Sequence, residues 1–166
     1  MLEHTSTRPA IFFPGASTVD DLELDPFVGP CRLVDLEPLG RRHVEAADLE
    51  NLVPRETRRV LLRTVNSTTQ ATDSSFGTDY VALTEGAADW LVAHDVLAVG
   101  LDALSIEPFD TERHAVHRRL LGSNVAVIEG LRLADVPSGE YFLACLPLAW
   151  VGSDGAPARA ALLPLS

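Results

Sequence analysis

Short apolar runs separated by turn residues dominate the pattern of this 166-residue chain. Stretches of four to six residues that are rich in apolar side chains and lie between turn residues are too short for helices and predict strands. The runs that predict strands are Cys31–Asp35, Arg59–Thr64, Val96–Leu101, Val125–Ile128, Tyr141–Leu146 and Ala158–Leu163. A further strand, Arg41–Glu45, is expected to pair with the first of these across the Pro38-Leu39-Gly40 turn.

Three segments carry helical signals instead. Ala46–Leu52 is a short helical stretch that ends before Pro54, and Thr84 is placed to cap a helix over Glu85–His94. A third helix is expected to start at Asp110 or Thr111 and to run through Leu121, with Gly122 closing it. Because helices fall between strands, the pattern predicts a single α/β domain over residues 1–166, with a mixed β-sheet core and flanking helices.

Two segments do not fit this alternation. Met1–Gly15 starts with polar residues and then places Ile11–Phe13 directly before a Pro-Gly turn, which predicts neither a disordered tail nor a complete first strand. It resembles the interior of a larger protein. Asn66–Asp79 is a long polar loop, and loops of that length commonly border a functional pocket.

The composition narrows the class of function. The chain is 46% hydrophobic, carries a net charge of −11 and has 13 basic residues, all of them Arg. An acidic surface repels phosphate backbones, and acidic residues flank the Arg pairs, so nucleic-acid binding is not expected. Neither a membrane span nor a leader peptide is expected, so the predicted location is cytoplasmic. Cys31 and Cys145 form no metal motif and are expected to be buried thiols.

The candidate chemistry lies in the second half of the chain. Asp102 and Glu129 each follow a predicted strand, and side chains at the carboxyl ends of such strands point toward the usual ligand crevice. The alternative is that both carboxylates cap neighbouring turns. His117, in the helix before the Glu129 strand, is expected to approach Glu129, a pair that suits zinc, manganese or proton transfer. His114, one turn earlier, could join them, although a lone core or surface histidine is the commoner case.

Two segments make the sequence resemble a known family. GLDALSIEP (Gly100–Pro108) and HRRLLGSNVAVIEGL (His117–Leu131) are similar to a cyclase family whose best-known members are bacterial kynurenine formamidases, or arylformamidases, of tryptophan catabolism. The similarity extends over most of the chain from Phe12 onward. It implies a swivelling β/α fold, a metal-dependent hydrolase acting on non-peptide C–N bonds, a small-molecule ligand, and a homodimer or homotetramer. It also implies that relatives have an N-terminal segment that this chain lacks.

The resemblance assigns His117 and Glu129 to one half of a two-metal site. The other half comes from a His-x-Gly-Thr-His-x-Asp-x-Pro-x-His motif, which is degraded here. Without gaps, ligand or base positions fall on Thr5, Thr7 and Ile11; with a gap, His4 keeps the first ligand position, and the carboxylate is still lost.

Three hypotheses follow from this loss. In the first, the chain is a degenerate family member, a pseudoenzyme that lacks a competent binuclear site and holds no metal. In the second, it is an active arylformamidase-type hydrolase with a rebuilt site around His117 and Glu129, joined by His4 or His114 and holding zinc or manganese. In the third, it is a subunit whose site needs a full-length relative. The natural substrate stays open at this point.

Overall fold

A computed structural model describes residues 3–6, 18–40, 42–69 and 77–165, with only the backbone for 3–6. Within these residues the helices are α1 (Ala46–Leu52), α2 (Asn66–Thr69), α3 (Glu85–Ala93) and α4 (Ala115–Gly122). The strands are β1 (Glu3–Ser6), β2 (Val28–Asp35), β3 (His43–Val44), β4 (Arg59–Arg63), β5 (Ala82–Leu83), β6 (Ala98–Leu101), β7 (Ala126–Glu129), β8 (Gly139–Ala144), β9 (Gly155–Ala158) and β10 (Ala161–Pro164).

Eight of these strands form one mixed sheet in the order β10-β8-β2-β4-β6-β7-β1-β9. The central strands β2, β4, β6 and β7 run parallel, and β8, β10, β1 and β9 add antiparallel strands on both sides. β3 and β5 pair separately in a short parallel sheet. This arrangement confirms the α/β class with a mixed sheet and flanking helices.

The sheet curls toward closure. β9 and β10 lie at opposite ends of the strand order, yet only Arg159 and Ala160 separate them along the chain. Two residues span at most about 7 Å, whereas seven strand spacings in a flat sheet would span about 33 Å. The two edges must therefore approach each other, and a bridge between Pro147 and Ala158 joins the segment after β8 to β9.

The curled sheet separates two hydrophobic cores because successive residues of each strand face opposite sides. In β4, Val60 and Leu62 pack with the helices α1, α3 and α4, whereas Leu61 faces the inner side of the sheet. The inner cluster includes Leu143 from β8 and Ala158 from β9, as the curl requires. In the described part of the chain, no helix is long and apolar enough to cross a membrane.

Several predicted strands have different bounds or partners. β2 starts at Val28 and continues through Gly29-Pro30, because its antiparallel neighbour β8 holds that end. Glu3–Ser6, where no complete strand was expected, pairs on both sides with β7 and β9. The predicted partner of Arg41–Glu45 was wrong, since β3 pairs with β5. The predicted final strand divides into β9 and β10 at the two edges of the sheet.

The helices follow the predictions more closely. α1 has the predicted bounds, and the Thr84 hydroxyl caps α3 by accepting a hydrogen bond from the Ala87 N–H at 3.2 Å. Two corrections are needed. α4 begins at Ala115, not at Asp110 or Thr111, and Asn66–Thr69 is a short helix within the predicted loop, of which residues 70–76 lie outside the described residues.

Candidate metal centre

Four side chains meet beyond the carboxyl ends of β6 and β7, the end of a parallel sheet where ligands usually bind. Glu129 is the last residue of β7, and Glu107 lies in the loop that follows β6. His117 lies in the first turn of α4, and His114 is the N-cap of that helix. The site is thus built from one strand end, one loop and one helix start.

The four side chains form a chain of short contacts. Nδ1 of His114 lies 2.6 Å from Oε1 of Glu107, and Nδ1 of His117 lies 2.7 Å from the same oxygen. The other ring nitrogen of His117, Nε2, lies 3.1 Å from Oε1 of Glu129. Each of the two ring nitrogens of His117 therefore lies beside a carboxylate.

Burial and neighbouring charges set the protonation states of His117 and Glu107. Burial disfavours the imidazolium form, but hydrogen bonds and negative charge from Glu107 and Glu129 outweigh it and raise the pKa of His117 to about 9. For Glu107, burial favours the neutral acid, yet His117 and His114 outweigh burial and lower the pKa of that carboxyl. In the metal-free protein near neutral pH, Glu107 is therefore ionised and His117 is protonated.

The loop that carries Glu107 is fixed by its backbone. The Ile106 N–H donates to Oε1 of Glu129 at 2.7 Å, and the Ile106 carbonyl accepts from Leu83 N–H at 2.9 Å. The Tyr80 hydroxyl donates to the Glu107 carbonyl at 2.9 Å. Because Ile106 and the backbone carbonyl of Glu107 are both held, the Glu107 backbone is fixed in position beside α4.

His114 adopts a strained backbone conformation. Its φ of 48° and ψ of 44° fall in the left-handed region, which costs a non-glycine residue about 1 kcal/mol. This conformation starts α4 and places the ring against Glu107. Its side chain is 48% exposed, against 12% for that of His117, so His114 forms the open side of the cluster.

Asp102, the other predicted carboxylate, is used differently. One oxygen accepts from the Thr64 N–H (2.7 Å), the Ser67 N–H (3.1 Å) and the Ser67 hydroxyl (2.6 Å), and the other accepts from the Thr64 hydroxyl (2.8 Å). Asn66 adds a longer contact at 3.4 Å. Burial raises the pKa of Asp102, against these hydrogen bonds. Asp102 therefore fits the alternative stated for it above, a carboxylate that caps a neighbouring turn.

The cluster fits a divalent cation. Glu107, His114 and His117 each offer a ligand atom, and these atoms lie within 4.8 Å of one another. Among the described residues, Oε2 of Glu107 is buried and has no hydrogen-bond partner, which is costly unless something else occupies that oxygen. Two imidazoles and one carboxylate are the donor set of many catalytic zinc sites, which keep a fourth position open.

The structure brings together only part of the predicted set. His117, Glu129 and His114 meet, but their role as ligands stays a prediction. The backbone of His4 lies in β1, where its Cα pairs with that of Glu129, and Thr5 follows it in the same strand. Thr7 and Ile11 lie outside the described residues.

Glu107 was missed. The sequence signal for it was an acidic residue within GLDALSIEP, directly before a proline. Its function depends on a loop that folds back to α4, and local periodicity does not report such a contact.

Comparisons with known proteins identify relatives of this chain in sequence and in fold. Cyclase-like protein 1 from Oryza sativa subsp. japonica is 39% identical over 156 residues, covering 91% of this chain and 56% of the rice protein. A kynurenine formamidase from Sphingopyxis alaskensis is 36% identical over 148 residues, covering 89% of this chain and 68% of that protein. A solved structure of a potential metal-dependent hydrolase with cyclase activity superposes with a TM-score of 0.87 at 36% identity, covering 98% of this chain and 77% of that one.

These matches establish the family, although the chain spans little more than half the length of the rice relative. The family described as "Putative cyclase" matches residues 1–108, which include β1, β2, β4, β6 and the Glu107 loop. Together with the identity to the kynurenine formamidase, this match shows that the chain belongs to the cyclase family.

Proposed function

We propose that this chain binds one divalent metal ion, zinc or manganese, at Glu107, His114 and His117, and that it hydrolyses a non-peptide C–N bond. The observation that carries the proposal is the buried Glu107 carboxylate, which has two imidazole nitrogens within 2.7 Å of one oxygen and, in the described part of the chain, no hydrogen bond to the other. Similarity to a kynurenine formamidase supports the reaction type.

The chain's own residues prepare the site for an ion. Glu107 is already ionised, and the protons on Nδ1 of His117 and on Nδ1 of His114, which both face its Oε1, have to leave before these nitrogens can ligate. Glu129 accepts a hydrogen bond from Nε2 of His117, which fixes the tautomer that leaves Nδ1 facing Glu107. A bound divalent ion would supply Lewis acidity, which polarises an amide carbonyl. The same acidity would lower the pKa of water, so that a nucleophile is available near neutral pH.

This assignment differs from the one that the family resemblance implies. The resemblance makes Glu129 a direct ligand, whereas here Oε1 of Glu129 already accepts from Ile106 N–H and lies against His117 Nε2. Glu129 therefore acts behind the ligand set, where it orients His117. Glu107 takes the place of a carboxylate ligand.

The test is metal loading followed by turnover. Protein stripped with a chelator, reloaded with zinc or manganese and desalted should retain about one ion per chain, and the loaded protein should hydrolyse N-formylkynurenine. Glu107→Gln should abolish both, whereas Glu112→Gln, the same change at an exposed position nearby, should preserve both. Retention of two ions would contradict the one-ion site.

A second candidate is the degenerate family member, favoured by the identities of Thr5, Thr7 and Ile11 at the motif positions. None of these side chains replaces an imidazole or a carboxylate as a zinc ligand. In that case the stripped protein retains far less than one ion per chain after reloading. Stoichiometric metal without turnover would support the metal site and contradict the hydrolase.

A further inference from the structure

Three arginines line a pocket at the opposite end of the parallel strands from the metal cluster. Arg59 starts β4 and follows Arg58, and Arg32 lies in β2 opposite Val60. The cavity measures about 340 Å³, at the low end of the range for small-molecule sites. Its other lining residues include Pro54, Thr57, Leu165 and the acidic Glu56 and Glu140.

Arg59 forms the fixed part of this pocket. Its side chain is buried and donates to the carbonyls of Asp25, Pro26 and Pro30. Gly29 permits this close packing, since a Cβ at that position would lie 2.8 Å from the Arg59 guanidinium. A buried cation therefore lies behind the pocket with most of its donors already used.

Arg32 and Arg58 supply the donors that remain. Nε of Arg32 is buried and has no hydrogen-bond partner among the described residues, although it belongs to a strong donor. The nearest carboxylate to Arg32 is that of exposed Glu140, at 3.9 Å, which is a long ion pair. Arg58 is exposed and has no carboxylate within ion-pair distance in the described part of the chain.

We propose that this pocket binds a small oxyanion, a phosphate or a carboxylate, through Arg32 and Arg58. Guanidinium groups match both anions because each presents paired N–H donors to two oxygens. The Arg32 Nε–H would gain the acceptor that it lacks, whereas Arg59 is already paired with the Asp25 carboxylate at 3.3 Å and only shapes the pocket from behind. The pocket size selects a compact ligand, and the lining residue Leu165 leaves part of its wall apolar.

Binding is measured most directly at the arginine side chains. In protein labelled with ¹⁵N, the Arg32 Nε–H resonance is followed during titration with inorganic phosphate or malonate, with chloride at equal ionic strength as the screening control. We expect a saturable shift with half-saturation on the order of 1 mM. Tighter binding of phosphate identifies a phosphate ligand, and tighter binding of malonate a dicarboxylate. A shift that chloride reproduces would overturn the proposal.

Substitutions of single arginines test the assignment of the donors. Arg32→Gln should weaken binding about tenfold, because one charged donor group is lost. Arg55→Gln removes the same charge from an exposed arginine that pairs with Glu50, and should bind as the parent does. If Arg32→Gln does not fold, Arg58→Gln tests the same site, because an exposed arginine can be replaced without disturbing the fold. Unchanged affinity for the anion in Arg58→Gln would contradict the site. Binding should persist in Glu107→Gln, which separates this proposal from the metal site.

Discussion

Two buried carboxylates follow β6, five positions apart, and they are used in opposite ways. Asp102 is 4% exposed and Glu107 is 2% exposed, so burial does not distinguish them. Donors do. The two oxygens of Asp102 accept hydrogen bonds from Thr64, Asn66 and Ser67, whereas Glu107 has one oxygen beside two imidazoles and one with no hydrogen bond from any residue that the structure describes.

The comparison shows how a structural carboxylate differs from a ligating one in a single loop. A buried charge is tolerated when hydrogen bonds satisfy it, and Asp102 meets that condition with the backbone and hydroxyls of the turn after β4. Glu107 does not meet it through the donors of residues 3–6, 18–40, 42–69 and 77–165. Its remaining acceptor capacity is what a cation would use.

The largest expected effect is on metal binding, in the Glu107→Gln variant. The amide keeps the shape of the side chain but removes the anionic ligand. Zinc affinity should therefore fall about a thousandfold, which corresponds to about 4 kcal/mol of a binding free energy that is about 10–16 kcal/mol in structural zinc sites. Calorimetric titration of the chelator-treated protein measures this. Glu112→Gln should lose no affinity; an equal loss there would point to a general charge effect and not to a ligand.

The next effect is on stability, in the Asp102→Asn variant. The new amide would turn an NH₂ group toward backbone N–H donors, so the free energy of unfolding should fall by about 3 kcal/mol. Urea unfolding checks this value. Metal affinity should stay within about threefold of the parent. If metal affinity collapsed while stability held, Asp102 would belong to the site and the comparison would fail.

The sequence predicted the elements whose stability is local. The apolar runs of β4, β6 and β7 and the cap of α3 at Thr84 were recognisable because neighbouring residues along the chain determine them. The resemblance named His117 and Glu129, and the structure places them in contact.

The remaining features depend on contacts between distant segments. β3 pairs with β5 and not with β2, and the last predicted strand divides because the sheet curls until its edges meet. Glu107 joins the histidines only because its loop is held by Tyr80 and Glu129. His114 occupies the N-cap position of α4 in a left-handed conformation, which is uncommon for a non-glycine residue.

The third effect is a pH dependence that comes from the engaged His117. Its folded pKa of about 9 lies above the ordinary value of 6.5, so His117 stabilises the metal-free fold fully below pH 6.5 and loses that contribution as the pH rises through 9. Between pH 7 and pH 10 the free energy of unfolding should therefore fall by about 2 kcal/mol.

His117→Gln gives the matched comparison for this effect, since it has no group to titrate there. Its stability should change less over the same range, measured by urea unfolding in the presence of a chelator. NMR of the imidazole should follow the same titration. A His117 that loses its proton near pH 6.5 would show that the two carboxylates do not hold it as an imidazolium.

The smallest effect decides between the ligand set proposed from the geometry and the one that the family resemblance implies. In Glu129→Gln the side chain can still accept a hydrogen bond from His117 Nε2, but without charge. If Glu129 only orients His117, zinc affinity should fall about tenfold, the range known for groups behind a ligand. If Glu129 is itself a ligand, the loss should match that of Glu107→Gln. Calorimetry on the two variants side by side compares their zinc affinities. Absorption spectra of the cobalt-loaded variants report the ligand set, because a lost ligand alters the spectrum and a lost orienting group leaves it nearly unchanged.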